Sequence, residues 1–304
     1  MLSVPTRAGR LAFTGLALAL TLSACGGDDN VTVEPGGNSP SVTATGSGGG
    51  VEQALAGRVP DAIKQDGKIS IGTDATYAPN EFLAPDGKTI QGFDVDLFNA
   101  VAAKLGLQAE FVSAPFGNII PGVQSGKYEL GVSSFTINDD RKKVANMVSY
   151  FSAGTQWAAK TGSGLNIDDM CGKKVAVQKD TVQVDDVNAR SKKCTDGGKS
   201  KISIDQYQSQ ADATAAVVSG KDDAMLADSP VAAYAVKQTN EQLELLGEIY
   251  DSAPYGYVVK KDQTEFAQVL ADALKAVIAD GSYKSALEKW GVEAGGITDP
   301  QVNP

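Results

Sequence analysis

Short β-type runs and amphipathic helical stretches alternate along the chain from about residue 60. Strand composition is found in KISIGT (68–73), AEFVSA (109–114) and LGVSSF (130–135), and apolar residues recur at helical spacing between Leu97 and Leu105. Such alternation is typical of α/β proteins with largely parallel sheets, which bind ligands in crevices at the carboxyl ends of their strands. We therefore expect an α/β fold with a ligand site at strand ends.

A second series of strand-like and helical runs follows the first. It begins with KKVAVQ (173–178) and ends with the helical stretch SPVAAYAVKQ (229–238). The two series are connected by two extended runs, SYFSAGTQWAAK (149–160) and APYGYVVKK (253–261). Two series predict two lobes, and two extended crossings predict that one lobe is inserted into the other through a hinge of two strands.

The two crossings also give the predicted domain boundaries. Lobe 1 is expected to comprise residues 56–154 and 253–304, and lobe 2 the inserted residues 155–252. With 304 residues, of which 42% are apolar, the chain is long enough for two lobes that each bury a core.

The first 25 residues predict an export signal. Arg7 and Arg10 give a positive start, and the apolar run from Leu11 to Leu22 is too short to span a membrane comfortably. The run leads into LSAC, which resembles the bacterial lipoprotein box, and this resemblance implies that Cys25 becomes the lipidated N-terminus after cleavage. An ordinary signal peptide without lipidation is the alternative.

A flexible tether is predicted from residue 26 to residue 55. Its first 25 residues are rich in Gly, Ser, Thr and Asp, and they offer almost no apolar surface whose burial could offset the entropy of ordering. A lipidated cysteine, a tether and a folded body predict a protein held at the outer face of the cell membrane. Since one acyl chain holds only weakly, stable anchoring requires more than one.

Charge and cysteine usage exclude several classes of partner and cofactor. The formal net charge is −10, so a phosphate-neutralising surface, and with it nucleic acid, is a poor expectation. Apart from Cys25, Cys171 and Cys194 remain, and in an exported protein we predict a disulfide between them rather than two free thiols. Two cysteines without any histidine cannot complete a typical zinc shell, so neither a metal nor another cofactor is expected.

The segment SSFTINDDRKK (133–143) concentrates hydrogen-bonding groups at the end of a predicted strand. Arg141 presents a planar fork that matches a carboxylate with two parallel hydrogen bonds and does not lose its charge. Asn138, Asp139 and Asp140 predict a helix start, with a capping amide followed by acidic residues at the positive helix end. On this pattern alone, a solvated cation on a helix face is the default interpretation of Arg141.

Four segments, in this order and spacing, resemble the exported solute-binding proteins of ABC importers for polar amino acids, family 3 of the extracellular binding proteins. They are IGTDATYAPNEF (71–82), GFDVDL (92–97), PFGNIIPGVQSGKYELGVSSFTINDDRKK (115–143) and DDAMLADSP (222–230). The resemblance extends from about residue 60 to 292. It implies a two-lobed clamshell like that of periplasmic binding proteins, which closes on one amino acid.

The resemblance also implies which residues hold the head group of the ligand. Arg141 matches the arginine that binds the α-carboxylate, and Ser133, Ser134 and Thr136 match positions that help to hold the α-carboxylate or the α-amino group. Asp228, at the end of the strand DAMLA, matches the partner of the α-amino group. A zwitterion would then bridge Arg141 of lobe 1 and Asp228 of lobe 2.

The remaining implied ligand contacts come from both lobes. Tyr77 and Phe116 match aromatic positions that sandwich the aliphatic part of the ligand, and Asp74 matches a carboxylate that reads its side chain. Thr181, Val182 and Gln183 lie in the lobe-2 loop that contributes a backbone or hydroxyl contact to the carboxylate.

The sequence leaves the identity of the ligand open. Asp74 and Glu81 favour a cationic or amide side chain over an acidic one, whereas Lys179 favours the opposite. The chain also departs from the family at two positions, with Asp180 where glycine is frequent and Asn80 where phenylalanine is frequent.

The function implied by the resemblance is capture of an L-amino acid, polar or cationic, and its delivery to a membrane permease. No G-x-x-x-x-G-K-[ST] motif is present, so the ATPase must be a separate subunit. A monomeric binding protein rather than an enzyme is expected, because the chain lacks histidine and shows no nucleophile-plus-base constellation. Two alternatives stay open, a ligand-sensing subunit for a membrane receptor and an exported prephenate or arogenate dehydratase with the same fold.

Overall fold

The computed structural model describes residues 50–304. The predicted signal peptide, the predicted lipidation site Cys25 and the greater part of the predicted tether lie outside the described residues. Of the helices from residue 50 onwards, none has the length and the apolar character that a bilayer crossing requires.

The described residues form eleven strands and ten α-helices. The strands are β1 (Lys68–Thr73), β2 (Thr76–Tyr77), β3 (Glu81–Leu83), β4 (Ile90–Gln91), β5 (Gln108–Ser113), β6 (Leu130–Thr136), β7 (Ala145–Lys160), β8 (Lys174–Gln178), β9 (Ser203–Tyr207), β10 (Ala224–Asp228) and β11 (Leu243–Lys260). The helices are α1 (Gln53–Ala56), α2 (Asp61–Lys64), α3 (Phe93–Lys104), α4 (Ile119–Ser125), α5 (Asp139–Val144), α6 (Val182–Asp196), α7 (Gln210–Ser219), α8 (Ser229–Gln238), α9 (Thr264–Ala279) and α10 (Ser282–Trp290).

Eight of these strands form one continuous sheet in the order β5-β1-β6-β11-β7-β10-β8-β9. On one side β1 pairs in parallel with β5 and β6, and on the other side β8 pairs in parallel with β9 and β10. The long strands β7 and β11 lie antiparallel in the middle and take part in both halves. The predicted α/β clamshell, with one lobe inserted through two strands, is thereby confirmed.

The pairing of β7 with β11 is irregular where the chain passes from one lobe to the other. Its register shifts between Leu246 and Tyr250 and again between Tyr250 and Ala253. Gly154 lies opposite this stretch, and a Cβ atom there would stand 2.6 Å from the carbonyl oxygen of Tyr250. The two strands therefore approach this closely only because residue 154 has no side chain. The predicted lobe boundaries, after residues 154 and 252, fall within this stretch.

Each lobe has a hydrophobic core on the faces of the sheet. In lobe 1, helix α9 buries Phe266, Leu270, Leu274 and Val277, whose spacing of four and three residues places them on one face. Each such side chain contributes about 1.5–3 kcal/mol by leaving water. The core of lobe 2 is formed by residues of β7, β8, β10 and α6, among them Trp157, Val175, Val177, Val187 and Leu226.

Residues 52–55, predicted as the end of the tether, belong to the folded body. The backbone N–H of Glu52 donates a hydrogen bond to the carbonyl oxygen of Lys104 (2.9 Å), and Leu55 packs against the core of lobe 1. Composition placed this boundary too late, because it cannot show that one isolated leucine finds an apolar surface to cover.

The predicted disulfide is present in lobe 2. Cys171 and Cys194 are joined across a sequence separation of 23 residues, and their Cα atoms lie 5.6 Å apart. The bond connects the loop before β8 to the last turns of α6. It therefore fixes this helix to the sheet at the amino end of β8, away from the carboxyl ends of the strands.

We expect the double variant Cys171→Ser/Cys194→Ser to lose about 3 kcal/mol of unfolding free energy, because the loop no longer restricts the unfolded chain. A urea titration followed by circular dichroism measures this loss. Wild-type protein treated with a reductant serves as the control and should unfold at the midpoint of the variant. An unchanged midpoint in the variant would contradict the stabilising role of the bond.

Candidate functional site

The carboxyl ends of β1, β6, β8 and β10 converge on a cavity between the two lobes, the interlobe cavity. All ten residues predicted to bind the ligand line it, namely Asp74, Tyr77, Phe116, Ser133, Ser134, Thr136, Arg141, Thr181, Gln183 and Asp228. Glu81, Gln178 and Val182 complete the lining. Gln178 was not predicted as a site residue, although it ends the predicted strand KKVAVQ at the edge where ligands bind.

Arg141 is held in place by its own helix start and by two aromatic rings. The side-chain oxygen of Asn138 accepts a hydrogen bond from the Arg141 backbone N–H (2.9 Å), which confirms the predicted cap of α5. The Arg141 Nη1 donates to the carbonyl oxygen of Thr136 (2.8 Å). Its guanidinium carbon lies 5.3 Å from the ring centre of Phe116 and 5.4 Å from that of Phe135.

The hydrogen bonds of this guanidinium within residues 50–304 go to backbone carbonyls only. The second acceptor is the carbonyl oxygen of Asp180 in lobe 2, 3.5 Å from the Arg141 Nη2. Burial lowers the pKa of Arg141 to about 10, although the negative charge of Asp228 acts in the raising direction. The side chain therefore stays ionised at neutral pH. A full positive charge with unused N–H groups therefore faces the interlobe cavity.

Asp228 faces the same cavity from the end of β10. Its Oδ1 accepts a hydrogen bond from Gln183 Nε2 (2.8 Å), and its Oδ2 accepts one from the Tyr255 hydroxyl (2.7 Å). Burial raises the pKa of Asp228, while the hydrogen bonds from Tyr255, Tyr77 and Gln183 and the charge of Arg141 act in the lowering direction. The carboxylate is thus fixed by neutral donors and remains available to a cation.

The lobes also meet directly across the interlobe cavity. Gln178 Nε2 of lobe 2 donates to Asp74 Oδ2 of lobe 1 (2.9 Å), and the Asp228 backbone N–H donates to the Tyr77 hydroxyl (3.1 Å). Tyr77 packs in addition on Ala227 and Val231 of lobe 2. These contacts make the cavity narrow and keep its polar groups out of bulk water.

The turn after β8 shows how the chain accommodates Asp180 at a place where glycine is frequent in the family. Asp180 has φ of 66°, a left-handed conformation that glycine adopts without strain and aspartate tolerates better than most residues. Its side chain fits against Gly117 of lobe 1, where a Cβ atom would stand 2.2 Å from Asp180 Oδ2. The next residue, Thr181, donates its hydroxyl to the carbonyl oxygen of Gln178 (2.8 Å), which closes the turn before α6.

Two carboxyl groups of lobe 1, Glu81 of β3 and Asp94 of α3, are fully buried, and Glu81 lines the interlobe cavity. Burial and the neighbouring charge of Asp94 raise the pKa of Glu81 well above its usual range. Burial likewise raises the pKa of Asp94, to about 6, although a hydrogen bond from the Tyr150 hydroxyl (2.6 Å) acts against the rise. Asp74, which also lines this cavity, has a pKa raised by burial as well.

Residues 69–293 match the family described as bacterial extracellular solute-binding proteins, family 3. The arginine-binding protein ArgT of Corynebacterium glutamicum is 35% identical over 248 residues, which cover 81% of each chain. An ancestral arginine-binding protein with bound arginine superposes with a TM-score of 0.68 at 35% identity, over 74% of this chain and 98% of that one. An ancestral amino acid-binding protein described as a precursor of cyclohexadienyl dehydratase superposes with a TM-score of 0.65 at 33% identity, over 76% and 98% of the two chains.

The raised carboxyl pKa values predict an unusual dependence of stability on pH. In the folded protein, Glu81 holds its proton at pH values where the unfolded chain has lost it. Its contribution to the unfolding free energy is therefore present at low pH and is lost as the pH rises towards the folded-state pKa. Between about pH 5 and about pH 8, we expect the melting temperature of ligand-free Glu81→Gln to fall less steeply than that of the wild type. Differential scanning fluorimetry measures both, and parallel slopes would contradict the raised pKa.

Proposed function

Because the chain belongs to the bacterial extracellular solute-binding proteins of family 3, we propose that it is the solute-binding component of an ABC importer. It captures an L-amino acid with a cationic side chain, foremost L-arginine, between its two lobes and delivers it to a membrane permease. The observation that carries this proposal is the placement of Arg141 and Asp228, two opposite charges held by neutral partners on opposite sides of one cavity.

The head group of an amino acid matches these two charges. The α-carboxylate would accept hydrogen bonds from the free N–H groups of Arg141, and the α-ammonium would donate to Asp228 and to the hydroxyl-bearing end of β6. Each contact becomes stronger as the lobes close, because charges attract more strongly when water is excluded. A ligand that lacks one of the two charges would leave the matching buried group unpaired, which disfavours its binding.

The lobe-1 wall of the interlobe cavity supports a cationic ligand side chain. Asp74 and Glu81 are buried there, and the hydrogen-bond partners that the structure gives their carboxyl oxygens are neutral groups. A guanidinium or ammonium group would neutralise this wall, whereas a carboxylate would add a further negative charge to it. Two similar proteins that are described as arginine-binding support this assignment.

Closure would follow from the construction of the hinge. We assign lobe 1 to residues 52–154 and 253–304 and lobe 2 to residues 155–252, with the irregular pairing of β7 and β11 between them. Ligand contacts that exist only when both lobes meet stabilise the closed form and shift the population towards it. The closed form is then the one that a permease recognises.

The place of action would be the outer face of the cell membrane. The family is extracellular, and the LSAC sequence before Cys25 is the support for a lipid anchor followed by a tether. Such an anchor keeps the monomeric binding protein near its permease and raises the effective concentration of the pair.

A second candidate function is a dehydratase activity, since one structural neighbour is described as a precursor of a cyclohexadienyl dehydratase. We propose that the protein binds without catalysis, because its chain has no histidine. Incubation with prephenate or with arogenate should give no aromatic product, as followed by ultraviolet absorbance. Turnover with either compound would overturn this part of the proposal.

Arg141→Ala and Asp228→Ala should each weaken the binding of L-arginine by about 2–5 kcal/mol, since each leaves one charge of the buried ligand without its protein partner. Isothermal titration calorimetry measures the change. Lys143→Ala is the matched control, because this cation of the same helix is exposed and pairs with Asp140 outside the cavity. Unchanged affinity in both cavity variants would remove these residues from the site.

A thermal-shift screen of amino acids tests the class of ligand. We expect L-arginine, L-ornithine and L-lysine to raise the melting temperature, because a ligand that binds only the folded state stabilises it. L-glutamate and L-aspartate should leave it unchanged. A larger shift with an acidic amino acid than with a cationic one would contradict the proposed class.

A further inference from the structure

The carboxyl groups of Glu81 and Asp94, the carboxyl pair, lie side by side. Both are fully buried, and Glu81 also lines the interlobe cavity. The hydroxyl of Ser134 stands between them, 3.2 Å from Glu81 Oε2 and 3.3 Å from Asp94 Oδ2. Two carboxylates this close, away from water, cannot both carry a full charge.

Two serine hydroxyls, those of Ser133 and Ser134, donate hydrogen bonds to the carboxyl pair. The Ser133 hydroxyl accepts from the Asp74 backbone N–H (2.9 Å) and donates to Glu81 Oε1 (2.9 Å). The Ser134 hydroxyl accepts from the Asn80 amide (2.8 Å), and its single proton can serve only one of the two carboxyl groups.

The two oxygens of the Asp94 carboxyl group differ in the hydrogen bonds that they accept. Its Oδ2 receives the Tyr150 hydroxyl (2.6 Å) and the Ser134 backbone N–H (3.1 Å). Its Oδ1 is buried and has no hydrogen-bond partner among the described residues. One proton held by the carboxyl pair would bring a donor to this group of acceptors and reduce the repulsion between them.

The groups that face the carboxyl pair bring no positive charge. They are Asp74 after β1, Tyr77 of β2, Tyr150 of β7 and Tyr257 of β11. Arg141, the cation of the cavity, is directed to Thr136 and towards Asp228 instead. Burial raises the pKa of both carboxyl groups, and the charge of Asp94 raises the pKa of Glu81 further.

We propose that capture of a cationic ligand is coupled to proton release: the carboxyl pair holds one proton before the ligand enters, and the ligand's cationic side chain takes its place. The Glu81 O–H bond breaks, the proton passes to solvent, and the Glu81 carboxylate pairs with the ligand cation. The summed charge of the carboxyl pair and its bound cation, first the proton and then the ligand side chain, is thus the same before and after the exchange. This inference rests on the proposed function, since it requires a ligand with a positive side chain.

A coupled proton makes binding depend on pH in a defined direction. Lower pH favours the protonated pair and competes with the ligand, so affinity for L-arginine should rise with pH, by up to about tenfold per pH unit. L-citrulline, which has the shape of arginine without its charge, leaves the proton in place. Its affinity should therefore be independent of pH over the same range.

Isothermal titration calorimetry tests the coupling directly. Titrations of L-arginine and of L-citrulline in phosphate and in Tris buffer at about pH 7.5 give the number of protons released, from the dependence of the heat on the buffer's ionisation enthalpy. We expect about one proton per bound arginine and none per bound citrulline. In Glu81→Gln, arginine binding should release no proton, and the preference for arginine over citrulline should disappear.

Two further variants separate the coupling from loss of structure. Asp94→Asn removes the repulsion that keeps the proton on Glu81, so it should bind arginine with less proton release than the wild type. Asp222→Asn is the matched control, because Asp222 is a buried carboxyl group of lobe 2 that accepts from Tyr207 (2.6 Å) as Asp94 does from Tyr150, but outside the interlobe cavity. It should release as many protons as the wild type.

The outcomes distinguish the two proposals. Arginine binding without proton release, or equal release in the wild type and in Glu81→Gln, would overturn the coupling and leave the proposed function standing. A protein that binds L-glutamine or another neutral amino acid but not arginine would overturn the cationic ligand class, and the coupling with it.

Discussion

The site depends on one electrostatic constraint, that Arg141 and Asp228 are each held by neutral groups and not by one another. Arg141 is fixed by a backbone carbonyl and by aromatic rings, and Asp228 by an amide and a tyrosine hydroxyl. Had the two charges formed a direct ion pair, a ligand would first have to break it. Because each charge is oriented but unmatched, a zwitterion would gain both interactions at once.

The continuous sheet keeps these two charges opposite each other. In each lobe, parallel strands direct their carboxyl ends to the same edge, and the two long strands β7 and β11 connect the lobes so that these edges face one cavity. In the proposed closure, relative motion would be confined to the stretch where their pairing is irregular, around Gly154. Each half of the sheet would then keep the positions of the side chains on its own wall while the distance between the walls changes.

Much of this arrangement could be predicted from the chain. The alternation of strands and helices with two extended crossings predicted two lobes, one inserted into the other, and the segment around Arg141 predicted the capped helix start, because both are encoded in local spacing. The carboxyl pair and the role of Gln178 could not be found in this way. Glu81 and Asp94 belong to different elements, and Gln178 meets Asp74 only when the lobes touch, so their relations depend on packing that no local pattern records.

The fit between Gly117 and Asp180 limits how this sequence can change. The two residues belong to different lobes, and the space that a side chain at position 117 would need is filled by the Asp180 carboxylate. A substitution at position 117 is therefore compatible with a closed cavity only if position 180 becomes smaller as well, and the left-handed backbone there favours glycine as the replacement. Position 117 can therefore accept a side chain only once position 180 has changed, although 63 residues separate the two along the chain.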